Sequence, residues 1–454
     1  MKNHHPLLNR NLLKQFLIVF LVGFTFFSCD NKKSAKKTSV SKEIAFKALL
    51  DTVQSNTFKY FWDFAEPISG MARERSHKDA FEGKSRNIIT IGGSGLGISS
   101  FPTAVTRGWI SREDAVNRLL KITKFLENCE KFHGAFAHWY YADSKKVHAF
   151  SDLDNGGDIV ETALLIQGII INKQFFTANN PLEISLREKL DAIWKSVEWD
   201  WYTQNKKSIT WHWSTNFGFE KDLPVSGWNE ALIVYVLAAS SPTHTIEKET
   251  YTNGWTRNGE MKNGKSFYNH QLFLGEDYGG PLFLSQYSFM GIDPRSLKDE
   301  FCANYFEQNR NHSLINYEYC IDNPKNFKGY SENCWGLTAS DNFEGYSAHS
   351  PSNDISIITP TAALSSFPYT PAESKKALNH FYFDLKDKIW GDYGFYDAFS
   401  IEKDWYSKGY LAIDQGPIVG MIENYRTQQL WNLFMSDSDI KKGLIKLGFT
   451  SPNI

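Results

Sequence analysis

The chain has 454 residues, which suffice for two or three average domains or for one large helical or barrel domain. Aromatic residues make up 15% of it, and a chain so rich in Trp, Tyr and Phe is not intrinsically disordered. Residues 1–41 carry a formal charge of +6 and the remaining residues carry −8, without a basic stripe. We therefore predict no nucleic-acid partner.

The beginning of the chain has the pattern of an export signal. Lys2, Arg10 and Lys14 precede an apolar run at residues 16–27, which is too short to span a bilayer but has the length of a signal-peptide core. Cys29 follows a small residue at the end of this run, as in a bacterial lipoprotein cleavage site, where its thiol would carry the lipid. The alternative is an ordinary signal peptide with a chance cysteine.

These features predict a lipoprotein signal peptide at residues 1–28, a polar tether at residues 29–41 and one domain at residues 42–454. No Pro- or Gly-rich linker divides the last segment. We expect a monomer in the envelope of a bacterial cell, attached to the membrane only through a lipid on Cys29. The other cysteines are Cys129, Cys302, Cys320 and Cys334. Their spacing shows no dense disulfide framework, and free buried thiols are an equal alternative.

From residue 42 onward the apolar spacing is mostly helical. A capping box at Ser111 predicts the start of one helix, which continues over residues 115–130. The other predicted helices span residues 42–64, 157–176, 181–202, 227–240, 284–291, 298–310, 331–340, 371–388, 415–435 and 437–447. Few segments have the alternation typical of strands, so the predicted fold class is all-α.

The predicted helices are of two kinds. Residues 231–239 are almost wholly apolar, whereas residues 182–202 are amphipathic. Inner helices bury every side and outer helices bury one, so this alternation predicts two concentric helix layers. The long connections are rich in Trp, Tyr, Gly, Asn and Asp, and loops of that length and composition often form a site.

Several common chemistries lack their motifs. The GGSGLG run at residues 92–97 does not have the GxGxxG spacing, and glycines that allow close backbone approach are the simpler interpretation. A calcium loop counted from Asp152 would need an acid where Ala163 stands. The chain has no HExxH, CxxC or GxSxG motif. We therefore predict no metal and no cofactor.

Three acids lie together around the start of one predicted helix. Asp154, Asp158 and Glu161 are spaced at i, i+4 and i+7, and like charges at this spacing repel each other. The helix dipole accounts for acids at a helix start, but it explains Glu161 less well because an apolar run follows directly. We interpret the three as functional.

Two further acids begin predicted helices. Glu230 leads into the apolar run 231–239, where crowding among aromatic residues would raise its pKa as a general acid requires. A simple capping role at the helix start is the alternative. Asp414 precedes Pro417 at the start of another helix, so an N-cap and a catalytic base are equally good interpretations.

Aromatic residues cluster in the connections beside these acids. The clusters contain His138, Trp139, His212, Trp213, Trp228 and Trp335. Most Trp residues in any protein belong to its core, but so many in loops suggest stacking platforms for sugar rings. Paired acids with aromatic platforms are typical of a glycosidase cleft.

Eleven segments resemble the bacterial glycoamylase-like family, which is close to, and partly coincides with, glycoside hydrolase family 144. The segments are FKYFWDFA (58–65), RGWISREDA (107–115), HGAFAHWYY (133–141), DNGGDIVET (154–162), WHWS (211–214), GWNEALIVYVLAASSPTH (227–244), GPLFLSQYSFMGIDPR (280–295), CWGLTASD (334–341), ITPTAALSSFPYTPAES (358–374), GFYDAFS (394–400) and IDQGPIVGMIENYRTQQLW (413–431). The resemblance implies an (α/α)6 barrel with its pocket at one end of the inner helices. It also implies hydrolysis of β-1,2-glucan, by endo attack or by release of sophorose, with inversion and without a metal.

The resemblance also implies roles for single residues. The acids of the family fall on Asp154, Asp158, Glu161, Glu230 and Asp414. Glu230 is the expected general acid and Asp414 the expected base, acting directly or through a relayed proton. Asp158 or Glu161 is the alternative base, or would bind the sugar at the cleavage point. An inverting pair should stand ~6.5–9.5 Å apart.

The expected partner is a β-glucan, bound by the His and Trp residues of the aromatic clusters and by Gln286 in the segment 280–295. Two other functions remain open. One is an enzyme for another glucan on the same barrel, and the other is a surface glycan-binding lipoprotein without catalysis. The set of acids counts against the second, because a binder needs aromatic residues but no opposed carboxylates.

Overall fold

The computed structural model describes residues 43–76 and 87–454. The predicted signal peptide, the tether and the lipidation site at Cys29 lie outside the described residues. Within the described part of the chain, none of the helices combines the length and the apolar character that crossing a membrane requires.

The chain divides by its internal contacts into two units, Met1–Thr52 and Val53–Ile454. The described residues of the first unit are helical. The second unit contains the rest of the described secondary structure.

Helices dominate the described residues. They are α1 (residues 43–62), α2 (Ile91–Ile98), α3 (Phe101–Thr106), α4 (Arg112–Asn128), α5 (Ile159–Phe175), α6 (Pro181–Lys195), α7 (Leu232–Ser240), α8 (Lys248–Thr250), α9 (Tyr305–Asp322), α10 (Pro360–Leu364), α11 (Pro371–Asn379), α12 (Lys386–Ile389), α13 (Ala412–Thr427), α14 (Gln429–Ser436) and α15 (Ser438–Leu447). Two short 3-10 helices, Leu282–Ser285 and Ser288–Met290, overlap the predicted helix 284–291.

The strands are short and lie in the connections. They are β1 (Arg75–Ser76), β2 (Ile88–Thr90), β3 (Trp139–Tyr141), β4 (Val147–His148), β5 (Gly157–Asp158), β6 (His212–Trp213), β7 (Ser266–Phe267), β8 (His270–Gln271), β9 (Ala339–Asn342), β10 (Gly345–Ala348), β11 (Trp390–Gly391), β12 (Gly394–Phe395), β13 (Phe399–Ser400), β14 (Trp405–Tyr406) and β15 (Tyr410–Leu411). They pair antiparallel in sheets of two or three strands. Such small sheets brace loops and form no core of their own.

The helices bury their side chains in two ways. Every residue of α2, α7 and α10 is buried, and so are most residues of α5, α9 and α13. The helices α4, α6 and α15 bury one face and expose the other. The two kinds contact each other, since α7 packs against both α5 and α15. This arrangement confirms the predicted all-α fold of inner and outer helices.

Small residues bring α2 and α5 into close contact. A Cβ atom at Gly95 would overlap the backbone of Leu164 and Leu165, and one at Gly168 would overlap the Gly95 carbonyl oxygen. Only residues without a side chain allow two helices to approach so closely. The GGSGLG run is therefore part of a buried helix, and the interpretation of its glycines as packing residues is confirmed.

Several predicted boundaries were wrong. The helix predicted at residues 298–310 begins only at Tyr305, where Asn304 caps it, and then continues to Asp322. Residues 331–340 form no helix, because Gly336 takes a φ of +127° and β9 starts at Ala339. The predicted helix 415–435 breaks at Gln428, which adopts the left-handed conformation.

Candidate active site

A cavity of about 370 Å³ opens among the loops and helix starts of the second unit. Six aromatic rings line it, from Trp139, Phe150, Trp211, Phe283, Tyr287 and Tyr346. The carboxyl groups of Asp158, Glu161 and Glu230 lie in the same wall, with the ion pair of Arg75 and Glu74. An apolar cleft of this size with a few convergent polar groups is typical of a small-ligand site.

The wall around Glu161 is built by the starts of two buried helices. The backbone N–H of Gly92, in the first turn of α2, donates a hydrogen bond of 2.7 Å to Glu161 Oε2. A Cβ atom at residue 92 would lie 2.6 Å from the same oxygen, so glycine makes room for the carboxylate. The packing of α2 on α5 thus sets the position of Glu161, which lies in the first turn of α5.

Asp158 caps α5 and also faces two histidines. Its Oδ1 atom accepts hydrogen bonds from the backbone N–H groups of Val160 (2.9 Å) and Glu161 (3.0 Å). Its Oδ2 atom lies 3.3 Å from His138 Nδ1 and 3.5 Å from His212 Nε2. The pairing of β5 with β6 places Asp158 opposite His212. Asp158 therefore stabilises the helix start, as the dipole interpretation expected, and it also belongs to a charged cluster.

Asp154 completes this cluster. Its Oδ2 atom lies 3.3 Å from both His138 Nδ1 and His212 Nε2, while His138 Nε2 lies 3.8 Å from Glu161 Oε1. Burial alone would lower the pKa of His138, but the carboxylates of Glu161, Asp154 and Asp158 outweigh it, and the pKa is raised well above its usual value. The imidazole is therefore a cation at neutral pH.

The same cluster separates the acids by their protonation. Burial would raise the pKa of Asp158, but the hydrogen bonds and charges of His138 and His212 outweigh it, and the pKa is lowered. Burial and the charges of Asp158 and Asp154 raise the pKa of Glu161 to about 7, although His138 and the Gly92 N–H oppose this. Asp158 is therefore ionised at neutral pH, whereas Glu161 titrates there.

Glu230 lies two residues before α7, which begins at Leu232 and not at the predicted residue 227. The backbone carbonyl of Glu230 accepts a hydrogen bond from the Ser288 hydroxyl. Burial, helped by the charges of Asp158 and Glu161, raises the pKa of Glu230 to about 7. The rise in pKa predicted from its aromatic surroundings is confirmed, and its main cause is desolvation.

Asp414 lies inside the first turn of α13, because this helix begins at Ala412. The prediction that Asp414 is an N-cap just outside the helix was therefore wrong. Asp414 is buried, and its Oδ1 atom accepts a hydrogen bond of 3.4 Å from the Tyr287 hydroxyl. Burial and the charge of Asp341 raise the pKa of Asp414 to about 7, although hydrogen bonds from Asp397 and Tyr287 oppose this. Asp414 thus lies behind Tyr287, which lines the cavity.

The aromatic candidates from the sequence divide into three groups. His138 and Trp139 line the cavity, where Phe150 stacks on His138 with ring centroids 4.4 Å apart. His212 lies behind them, against the carboxylates of the cluster. Trp213 packs on Phe132, with centroids 5.4 Å apart.

The third group belongs to the core. Trp228 is buried between Trp255 and Tyr305. The indole N–H of Trp335 donates to the Glu373 carbonyl, and the side chain is fully buried. The side chain of Gln286 is equally buried, because its amide binds the α10 carbonyl of Ala362. None of the three lines the cavity, so we no longer assign them a contact with the substrate.

Sequence reasoning missed several residues around the cavity. Five of them are the lining residues Arg75, Phe150, Phe283, Tyr287 and Tyr346, and two are the buried acids Asp341 and Asp397. A signal for some was present, because Tyr287, Asp341 and Asp397 stand in the segments that carry the family resemblance. Nothing in the spacing indicates that these acids lie near Asp414.

Three side chains near the cavity have metal-binding chemistry. His138 Nδ1 and one carboxylate oxygen each of Asp154 and Asp158 lie within 4.8 Å of one another. The same atoms are also matched as hydrogen-bond donor and acceptors, since His138 is a cation and the pairs are 3.3 Å apart. His212 Nε2 lies 3.3 Å from the same Asp154 oxygen, so imidazole nitrogens face both carboxylates.

Two layers of helices with buried carboxyl groups in an aromatic cavity are the arrangement found in α/α-barrel glycoside hydrolases. The family model Glycoamylase, described as "Putative glucoamylase", matches residues 222–438. A solved structure of the endo-β-1,2-glucanase from Chitinophaga pinensis, in complex with sophorotriose and glucose, is 50% identical with a TM-score of 0.88. The match covers 90% of this chain and 99% of that one. The chain therefore belongs to the glycoamylase-like family, and the predicted barrel and family are confirmed.

Two relatives from Parabacteroides distasonis are longer than this chain. The exo-β-1,2-glucooligosaccharide sophorohydrolase is 43% identical over 421 residues, which are 88% of this chain and 57% of that protein. The structure of a β-1,2-glucanase is 42% identical with a TM-score of 0.84 and covers 89% of this chain and 60% of that one. The chain thus spans little more than half the length of this curated relative.

Proposed function

We propose that the chain is a glycoside hydrolase that cleaves β-1,2-linked glucan with inversion of the anomeric carbon. The observation that carries this proposal is Glu230, a carboxyl group in the wall of an aromatic cavity with a pKa raised to about 7. Relatives that are 42–50% identical and are named for action on β-1,2-glucan support the choice of substrate.

Glu230 is the proposed general acid. At neutral pH Glu230 is protonated in a large fraction of the molecules, and the nearby charges of Asp158 and Glu161 favour this state. The proton passes to the glycosidic oxygen as the bond from C1 to that oxygen breaks. A water oxygen then bonds to C1 from the opposite face, and a carboxylate takes the proton of the water.

Asp414 is the proposed base. Asp158 is a poor candidate, because two backbone N–H groups occupy one of its oxygens and two histidines face the other. A carboxylate has about four lone-pair positions in all. Asp414 accepts from Tyr287 and contacts Asp397, which leaves positions for a water or for a proton relayed through the site. Glu161 is the alternative base, although its charge also serves to keep Glu230 protonated.

Azide can test the identity of the base. A small anion that enters the cavity in place of the water attacks C1 itself and needs no proton transfer, so it can replace a base that acts directly or through a relay. We expect azide to restore turnover to Asp414→Ala and to give a glycosyl azide of inverted configuration, but to leave Glu161→Ala inactive. Rescue of Glu161→Ala alone would move the base to Glu161.

The aromatic walls are the proposed sugar platforms. The exposed rings of Phe150 and Tyr346 lie at the cavity together with Trp139 and Trp211. Sugar rings present C–H faces that stack on aromatic side chains, and a neutral glucan is not repelled by the acids of the site.

Product analysis tests the function as a whole. The purified protein is incubated with linear β-1,2-glucan and, in parallel, with β-1,3-, β-1,4- and α-1,4-glucans. Mixed oligosaccharides from the β-1,2-glucan alone would support endo action, and sophorose alone would support exo action. Cleavage of another polymer in its place would overturn the substrate, and binding without any product would favour a surface glycan-binding protein.

We also propose that the protein is a lipoprotein of the bacterial cell envelope, anchored through Cys29 and otherwise monomeric. The polar residues after Cys29 would serve as a tether. Labelling of the full chain with a radioactive fatty acid should therefore mark the wild type and leave Cys29→Ser unlabelled. Equal labelling of both chains would contradict the anchor.

A further inference from the structure

Asp397 is a buried acid that the proposed reaction does not yet use. It lies in the loop between β12 and β13, and its side chain is only 2% exposed. Its backbone N–H donates to the Gly409 carbonyl at 3.0 Å, and its Oδ2 atom accepts from the Asp341 N–H at 2.8 Å. The carboxyl group is therefore held from two sides in one orientation.

Asp397 interacts with a second buried acid, Asp414. The carboxyl groups of the two residues are in hydrogen-bond contact. Neither Asp397 Oδ1 nor Asp414 Oδ2 has a donor among the described residues, although both atoms are buried. Two carboxylates cannot bond to each other without a proton, so one proton between them satisfies both buried oxygens.

The surroundings place this proton on Asp397. Asp414 gains a hydrogen bond from Tyr287 and lies in the first turn of α13, where the helix dipole favours a negative charge. Asp397 lacks the helix dipole. The Asp341 N–H favours its ionised form, but burial and the charges of Asp414 and Asp341 outweigh this and raise its pKa well above the usual range. Asp397 therefore keeps the proton after Asp414 has lost its own.

Other charged and titratable groups near Asp414 do not reverse this order. The charge of Asp341 raises the pKa of both carboxyl groups. Asp341 itself forms an ion pair with Arg75 Nη1 at 3.0 Å. Tyr346 lies close enough for the charge of Asp414 to raise the pKa of its phenol, so the phenol stays neutral.

We propose that Asp397 is a positioning residue for the reaction, a neutral acid whose O–H donates to Asp414 and keeps that carboxylate ionised and oriented as the base. This role rests on the proposed function, because Asp414 is the base only if the chain is a hydrolase. The competing interpretation is a carboxyl pair that only stabilises the fold.

The substitutions Asp397→Asn and Asp397→Ala together separate the two. Asparagine keeps a neutral donor toward Asp414, so the pKa of Asp414 should stay close to that in the wild type. We expect the acidic limb of kcat/KM to stay in place in Asp397→Asn and to move about one pH unit higher in Asp397→Ala, because the ionised Asp414 loses its donor there. Asp397→Ala removes the donor, and its kcat should lie at least ~10-fold below that of Asp397→Asn. A merely structural residue would change the thermal stability and leave the pH limb in place.

Two more variants complete the test on the full chain. Asp354→Asn is the matched control, because Asp354 is another buried acid that accepts from tyrosines but lies outside the cavity lining, and its pH limb should not move. Asp414→Asn should be inactive. An inactive Asp414→Asn with unchanged limbs in both folded Asp397 variants overturns the role of Asp397 alone. An active Asp414→Asn overturns the base assignment and the role of Asp397 with it. Should Asp397→Ala not fold, Asp397→Leu, which has a similar branched shape but no donor, takes its place, and an unshifted limb in that variant overturns the role.

Discussion

Two glutamates in one cavity share a pKa raised by burial, but the groups around them differ. Burial raises the pKa of Glu161 and of Glu230 to about 7. The rise in the pKa of Glu161 is opposed by the His138 cation and by the Gly92 N–H, because both stabilise the ionised carboxylate. Glu230 has no cation among the groups that shift its pKa. When one of the two must ionise, Glu161 does so first, and its charge holds the proton on Glu230.

The protonated state of Glu230 predicts the behaviour of Glu230→Gln. Glutamine has the same shape but cannot donate a proton to the leaving oxygen, so kcat should fall by ~10²–10⁴-fold. Affinity for a β-1,2-glucooligosaccharide should change by less than ~threefold, because the aromatic walls are intact. Steady-state kinetics and titration calorimetry measure the two quantities.

The control for this variant is Glu183→Gln. Glu183 is also buried and ion-paired, with Arg112, but it lies outside the cavity lining. Its substitution should lower the thermal stability and leave kcat within ~twofold of the wild type. Near-full activity of Glu230→Gln would refute the acid assignment.

The cluster of His138, Asp154 and Asp158 predicts the response to chelation. Its carboxylates already face imidazole nitrogens of His138 and His212, which occupy the positions that a metal ion would take. We expect dialysis against EDTA to leave kcat and the midpoint of thermal unfolding unchanged. A loss of activity that a single divalent cation restores would instead identify the cluster as a metal site.

At the scale of elements, the start of α2 serves both packing and chemistry. A Cβ atom at residue 92 would lie 2.6 Å from Glu161 Oε2, which must then move away from the N–H that holds it. Gly92→Ala should therefore lower kcat by ~10-fold or more, while the chain still folds. Kinetics and circular dichroism of the variant test this expectation.

Gly420→Ala is the matched helix control. Its Cβ would meet the flexible end of Met290 at 2.8 Å, and residue 420 lies outside the cavity lining. Because alanine favours a helix over glycine by ~1 kcal/mol, a small packing cost should be offset. Equal losses of kcat in both variants would show that the effect of Gly92→Ala is not specific to Glu161.

The sequence predicts helices well where the apolar pattern is simple. Ser111 caps α4, with its hydroxyl oxygen accepting from the Asp114 N–H, and α15 spans Ser438–Leu447, close to the predicted bounds. Prediction failed for α9, whose Asn, Gln and His side chains are buried although they are polar. The core pairs these groups, as Gln308 Oε1 accepts from the backbone of Phe273 and Leu274. Period and polarity alone cannot indicate such pairing.

The same limit applies to the site. The five candidate acids could be found from their place at helix starts and in the recognised segments, and all five are at or near the cavity. Asp397 also stands in a recognised segment, but its place beside Asp414 could not be predicted. That proximity depends on how a loop between two short strands packs against α13. Long-range contact of loops leaves no periodic trace in the sequence.

At the scale of the molecule, the buried acids link stability to pH. Glu161, Glu230 and Asp414 have folded pKa values of about 7, above those of the unfolded chain. Between about pH 4.5 and 7 the folded protein holds protons that the unfolded chain has released, so the free energy of unfolding falls as pH rises through this window. His138 acts in the same direction, since its raised pKa stabilises the fold below about 6.5 and the effect is lost as pH rises through the folded value.

Asp158 acts in the opposite direction but in another window. Its pKa is lowered in the folded state, so its contribution is present above about 4 and is lost only as pH falls below that value. The midpoint of thermal unfolding should therefore be highest near pH 5 and should decrease toward pH 8. Scanning calorimetry at a series of pH values measures this curve.

A single substitution can show that the acids of the site cause this decrease. Glu230→Gln removes one group that must ionise in a buried position, so its midpoint at pH 8 should exceed that of the wild type by ~2 °C, with little difference at pH 5. Glu183→Gln should keep the wild-type decrease between these pH values, because the ion pair with Arg112 lowers the pKa of Glu183 to about 2. A flat curve for the wild type, or an unchanged slope in Glu230→Gln, would contradict the assignment of the raised pKa to Glu230. The expected result would mean that the carboxyl proposed to donate the proton destabilises the fold under the conditions in which it works.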